Sequence, residues 1–206
     1  MATKEQKMDM DSRALLSQKG TNAYAVTINN RYGIRYDIYV CPNDKESGAK
    51  KIAIHRALGI VHGRGVALPP QIDFYCSANY EMQNRAYHRN LNHEQASVIS
   101  LGTTATKGGS GTGLSSMPIV GFDSATLITL HELGHNLHER SVGDRFWTDS
   151  WTGKVATFAE ISPYAATNKK EFVAEFFCGA MSGATYSDAC KNHYRELGGA
   201  TGTHFP

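Results

Sequence analysis

What this sequence withholds narrows its function as much as what it contains. No run of apolar residues approaches the ~18–20 needed to cross a bilayer, so no membrane span is expected. The first twenty residues, MATKEQKMDMDSRALLSQKG, lack the apolar stretch of a secretory signal. Charge of either sign is barely in excess: 21 Lys and Arg against 19 Asp and Glu leave a formal net charge of +2. That is too mild to favour nucleic acid or an anionic membrane as partner. Cysteine is scarce, and Cys41, Cys76, Cys178 and Cys190 include no C-x-x-C pair, which argues against a structural zinc knuckle. Four thiols permit two disulfides and require none, so the redox compartment stays open. No internal repeat is visible. The expectation is a soluble protein, or a mature or excised piece of a longer precursor.

What is present suits one domain with a real core: 206 residues, 41% apolar and 19% charged. Residues 1–20 read as an N-terminal arm and 21–206 as the domain. AYAVTI and YGIRYDIYV, between Asn22 and Val40, are β-rich runs separated by Asn29-Asn30-Arg31, a hairpin signal. A helix is expected over about 49–61, with Ile52, Ile54, Ala57, Leu58 and Val61 on one stripe and Ser47 or Asp44 as its cap. Residues 72–76 and 96–101 read as strands, with a polar, His- and Asn-rich stretch between them. The glycines and small polar residues of 102–116 make a loop. Helices are expected over about 125–140, capped by Asp123 or Ser124, from Thr167 or Asn168 to Met181, and over 188–197, before a Gly-rich tail. Strands first and helices later predict an α+β domain.

The chemistry-bearing motif is His131-Glu132-Leu133-Gly134-His135. On a helix, positions i and i+4 share a face one turn apart, so two imidazoles converge on one metal ion. Glu132, beside the first ligand, is placed to take a proton from water that zinc has made acidic. Chance predicts such a pentapeptide in well under about one in a hundred chains of this length.

A catalytic zinc takes three protein ligands and keeps one position open. A metzincin would need Gly at 138 and His at 141, and this chain has His138 and Ser141. His138 lies about 10 Å along the axis from His131, too far for a shared ion, and reads as a core or supporting histidine. Downstream acids are Glu139, Asp144, Asp149, Glu160, Glu171 and Glu175. Glu171 and Glu175 stand four apart among Phe172, Val173, Phe176 and Phe177, where an unpaired carboxylate is costly. Glu171 is therefore the expected third ligand. Glu175 would accept the N–H of a ligating imidazole.

The stretch Tyr164-Ala165-Ala166-Thr167-Asn168-Lys169-Lys170-Glu171-Phe172-Val173-Ala174-Glu175 resembles the catalytic core of anthrax lethal factor and the secreted Pro-Pro endopeptidases that share its fold. These are gluzincin proteases, with the two histidines on one helix and a glutamate ligand on the next. Their pattern puts a tyrosine seven residues before that glutamate and an acid four after it, as Tyr164 and Glu175 stand here. The resemblance covers about the last third of the domain. It implies a zincin-like fold, a small mixed β-sheet preceding the active-site helix, with Zn2+ on His131, His135 and Glu171. It further implies Glu132 as general base, Tyr164 as hydroxyl donor to the oxyanion and Glu175 behind the ligands.

The function expected is a zinc endopeptidase acting on a protein or peptide, in keeping with a secreted toxin or delivered effector. A metal-binding regulator of the same fold and a zinc hydrolase of a non-peptide amide are the alternatives. The peptide is expected to add as a strand along residues 96–101, where proline at Ser97 would weaken turnover without removing metal. Trp147, Trp151 and Phe158 are candidates to line a side-chain pocket.

Overall fold

Alternating apolar residues build the first half of the chain into a sheet. β1 (Ala25–Arg31) and β2 (Ile34–Val40) pair antiparallel, with Ile34, Tyr36, Ile38 and Val40 buried on one face. The computed structural model describes residues 25–42, 44–76, 87–91, 96–102, 121–148 and 160–205. The expected N-terminal arm, residues 103–116 of the expected loop, Asp149, Trp151, Phe158 and the side chain of Trp147 lie outside what is described.

The hairpin turn is not at the Asn pair. Arg31 pairs with Ile34, so Tyr32 and Gly33 form a two-residue turn with φ of 59° and 74°. Positive φ at both central positions matches the twist of a hairpin, and glycine takes it without steric cost. Tyr32 is held there by its ring, 5.2 Å from that of His62 and 5.0 Å from the Arg31 guanidinium. Asn29 and Asn30 are strand residues opposite Tyr36 and Arg35.

α1 (Ser47–Gly63) follows, about a half-turn longer at each end than expected. Ile54, Ala57, Leu58 and Val61 are buried, whereas Ile52 is 68% exposed. Two residues on a helix are about 200° apart, which puts Ile52 opposite Ile54. Neither expected cap acts as one: Ser47 is the first helical residue, and Asp44 bonds the Glu46 amide (3.0 Å) and the Lys50 ammonium (2.7 Å). Asp44 and Lys50 are both buried.

β3 (Gln71–Cys76) lies parallel to β2, and β5 (Ala96–Leu101) parallel to β3. β4 (Tyr87–Leu91) pairs antiparallel with β5, giving the order β1-β2-β3-β5-β4. One strand here was not anticipated, and one expectation fails. The His- and Asn-rich stretch contains a strand, because YHRNL is recruited by pairing with β5 although it shows no apolar alternation. Residues 96–101 are interior, not the sheet edge, and Ser97 is fully buried. Proline there would remove a ladder hydrogen bond inside the sheet and destabilise the fold itself.

The remaining elements are α2 (Ser124–Val142), the one-turn α3 (Arg145–Thr148), a 3-10 turn (Tyr164–Ala166), α4 (Lys169–Met181) and α5 (Asp188–Glu196). Asp123, Asn168 and Ser187 cap α2, α4 and α5 by accepting the amides of Thr126, Glu171 and Cys190. Each such cap is worth about 1 kcal/mol. α2 is buried from Ala125 to Glu139, the mark of a central helix. Its apolar residues share one core with Tyr36, Ile38, Phe74 and Ile99 of the sheet, Ile54 and Leu58 of α1, and Phe172, Val173 and Phe177 of α4. The chain is thus a mixed α+β domain with a mixed sheet. All four cysteines are buried, and none forms a disulfide. Among the described residues, no helix is long and apolar enough to cross a membrane.

Removing one member of a buried ion pair strands the other, at about 3–5 kcal/mol. Lys50→Ala is therefore expected to lower unfolding free energy by about that amount in a urea titration, and the apolar pair Asp44→Leu/Lys50→Met to recover much of it.

Candidate metal centre

α2 delivers two imidazoles to one point. His131 and His135 lie on one face with ring centroids 4.6 Å apart. The Nε2 atoms lie 3.2 Å and 3.1 Å from the same Glu171 oxygen, Oε2. Glu171 sits in the first turn of α4, where its backbone amide is fixed by the Asn168 cap and the helix N-terminus favours its negative charge.

The approach of α4 to α2 depends on a missing side chain. A Cβ on Gly134 would stand 3.0 Å from the Ala174 Cα and 3.1 Å from the Phe177 Cβ. Cys178 adds a bond across the same contact, its thiol donating to the Leu127 carbonyl at 3.2 Å. Gly134 thus lies inside the motif between the two histidines and also sets the helix spacing.

Behind the histidines stands Glu175, fully buried, its Oε1 2.9 Å from the Nδ1 of His131. Its Oε2 accepts a 2.6 Å hydrogen bond from the Ser162 hydroxyl, which in turn accepts the Ala165 amide at 3.1 Å. Tyr164 comes in on the 3-10 turn, its ring centroid 6.1 Å from that of His131. Glu132 is buried on α2.

The charges of this cluster settle one another. Burial works against a charged His131, but the Glu171 and Glu175 carboxylates, one beside each ring nitrogen, outweigh it and hold its pKa well above the usual range. Burial likewise opposes ionisation of Glu171, and the charge of His135 with hydrogen bonds from both histidines overrides it, pushing the carboxyl far below its usual value. Burial raises the Tyr164 hydroxyl, and the carboxylates of Glu171, Glu132 and Glu175 raise it further. Tyr164 therefore remains a protonated donor, facing the same carboxylates as the histidines.

Two imidazoles and a carboxylate, with donor atoms all within 4.8 Å of one another, can hold a metal ion; among the described residues His131, His135 and Glu171 form such a group. Other candidates are engaged elsewhere. The His138 Nε2–H donates to the Leu197 carbonyl at 2.8 Å and its ring packs on Phe146, as a core histidine does. Glu160 accepts the amide and hydroxyl of Ser187 at the start of α5, and Asp144 is exposed. Glu139, though buried on α2, is not in the converging group. Sequence reasoning passed over Ser162 and Phe146. Phe146 stands 6.3 Å from the His135 ring and under the Lys170 ammonium. A serine two residues before Tyr164 carries no pattern of its own, and Phe146 lies in a stretch to which no element was assigned.

Compared with protein-family models, with curated proteins and with solved structures, the chain matches none.

Two outcomes follow from the geometry. Alanine at 134 gains about 1 kcal/mol of helix propensity but overpacks a backbone contact at about 1–3 kcal/mol. Gly134→Ala is thus expected to weaken metal affinity, read by chelator competition, with no gain in thermal stability. In metal-free protein, the raised His131 contributes stability below its ordinary value of 6.5 and loses it as pH rises through the raised one. The depressed Glu171 contributes above its ordinary 4.5 and loses it as pH falls through the lowered one. Both contributions are complete only between these two ordinary values. The Tm advantage of metal-free wild type over metal-free Glu171→Gln should therefore be greatest at about pH 5–6 and shrink toward alkaline pH. A pH-independent difference would contradict the coupling.

Proposed function

We propose that the protein is a zinc-dependent endopeptidase of gluzincin type on a zincin-like fold, acting on protein or peptide substrates. The observation that carries this reading is the meeting of His131, His135 and Glu171. The 3.2 and 3.1 Å separations are close to the edge of about 3.3 Å between ligand atoms on a tetrahedral zinc with ~2.0–2.1 Å bonds. Two nitrogens and one carboxylate oxygen are also a donor set that suits catalytic zinc and leaves a fourth position for substrate or water.

Bound there, zinc supplies Lewis-acid chemistry: it makes water acidic near neutral pH and polarises a carbonyl. Glu132, adjacent to His131 on α2, serves as the base that takes the water's proton and passes it to the leaving amine. Tyr164, kept protonated by burial and by neighbouring carboxylates, donates its hydroxyl to the oxyanion that develops on the attacked carbonyl. Glu175 orients His131 through Nδ1.

Peptide is favoured over a small amide by the sheet. Among the described residues β4 is the outermost strand beside β5, runs antiparallel to it and packs against α2. An extended peptide adding to β4 would lie along the helix that carries the histidines. The docking edge is therefore proposed at 87–91 in place of 96–101.

Incubation with a peptide library tests the reading. Wild type should cleave, lose activity to a chelator and regain it with zinc. Glu132→Gln should bind the same amount of zinc and lose about 10²–10⁴-fold in kcat. Undiminished cleavage by that variant would refute the assigned base, and zinc-loaded wild type that cleaves nothing would refute the peptidase.

A further inference from the structure

We infer that Ser162 is a positioning residue that clamps the carboxylate behind His131 to the turn that carries Tyr164, so that ligand orientation and oxyanion donor are set together. The inference rests on the peptidase reading of the centre. Ser162 and Glu175 are both buried, 3% and 0% exposed, away from water that could replace a lost partner. A hydroxyl has one proton to give. Here it goes to Glu175 Oε2 at 2.6 Å, a short charge-assisted bond, while the oxygen accepts the Ala165 amide at 3.1 Å.

Each end of this clamp leads to a different part of the centre. Through Glu175 it reaches the Nδ1 of His131, whose Nε2 faces Glu171. Through Ala165 it reaches the 3-10 turn, in which Tyr164 lies between Pro163 and the tied amide. The carbonyl of the same peptide unit, that of Tyr164, accepts both the amide (3.0 Å) and the hydroxyl (2.8 Å) of Thr167. The peptide joining Tyr164 to Ala165 is thus held at its N–H and at its carbonyl, and of these ties the Ser162 one leads to the histidines. Without the hydroxyl, a buried carboxylate oxygen and a buried amide lose a partner together. The carboxylate is then free to turn from His131, and the turn is free to shift relative to α2. A serine that merely capped the 3-10 turn would leave zinc affinity unaffected.

The test uses the zinc-loaded protein with Ser162→Ala, Ser162→Thr and Ser162→Cys, reading zinc affinity by chelator competition and kcat and KM on the best-cleaved library peptide. Ser162→Ala should weaken zinc about tenfold, within the range seen when partners of metal ligands are lost, and lower kcat while leaving KM nearly unchanged. Ser162→Thr, which keeps the hydroxyl, should restore both. Because the clamp acts through Tyr164, the loss of kcat should be smaller when Ser162→Ala is added to Tyr164→Phe than to wild type. If Ser162→Ala does not fold, Ser162→Cys keeps the volume with a weak donor and should show an intermediate loss in zinc affinity and kcat. Wild-type zinc affinity and kcat in Ser162→Ala or Ser162→Cys, or a fall in Tm alone, would overturn the clamp while leaving the peptidase standing. Should wild type bind zinc yet cleave no peptide, the peptidase fails and the zinc affinities still decide the clamp. A wild type that holds no zinc overturns both.

Discussion

Glu171 reaches two imidazoles on another helix because α2 and α4 meet at Gly134 with no side chain between them. The contact puts the Ala174 Cα and Phe177 Cβ 3.0 and 3.1 Å from the position a methyl would fill, closer than ordinary van der Waals contact. Close-packed interiors respond to a single carbon, so the distance between the histidines and the glutamate is a consequence of helix packing. The Asn168 cap fixes where α4 begins, the Asp123 cap where α2 begins, and the Cys178–Leu127 bond ties the two together along their length. The polar centre sits on the boundary of the apolar core, and it inherits its precision from that core.

Burying so much charge beside the core is tolerable because each group answers another. His131 faces Glu171 on one nitrogen and Glu175 on the other, Glu171 faces both histidines, and Glu175 is bonded by Ser162. A buried carboxylate that lacked such partners would cost several kcal/mol or stay protonated. The layering from Glu171 through His131 to Glu175 and Ser162 is the arrangement that metal sites generally need, in which outer partners orient the inner ligands. It is what makes a zinc peptidase a more economical reading than a structural polar cluster.

The elements around this centre were readable to different depths. Glu171 and the His131/His135 pair could be found because their spacing is dictated by helix geometry and because burial among phenylalanines leaves a carboxylate few other uses. The start of α2, with Asp123 or Ser124 as its expected cap, and the start of α4 near Thr167 or Asn168 could be found for the same kind of local reason. What failed was set by distant partners. β4 exists because β5 offers it hydrogen bonds, and β5 becomes interior only because β4 forms. The hairpin turn moved from the Asn pair to Tyr32-Gly33 because inter-strand register, not the commonest turn residues, decides where a chain reverses. Asp44, with Ser47 one of two expected caps of α1, instead neutralises Lys50, a partner reached only once the helix is docked. Ser162 and Phe146 matter through contacts that no spacing rule encodes.

The proposal that side chains from α2 and α4 coordinate one ion together is open to a direct measurement: X-ray diffraction from zinc-soaked crystals, with data on either side of the zinc absorption edge. The expected result is a single strong anomalous peak bonded at ~2.0–2.2 Å to the Nε2 atoms of His131 and His135 and to a Glu171 carboxylate oxygen. A peak elsewhere with those three side chains still paired to one another, or no peak at saturating zinc, would contradict it.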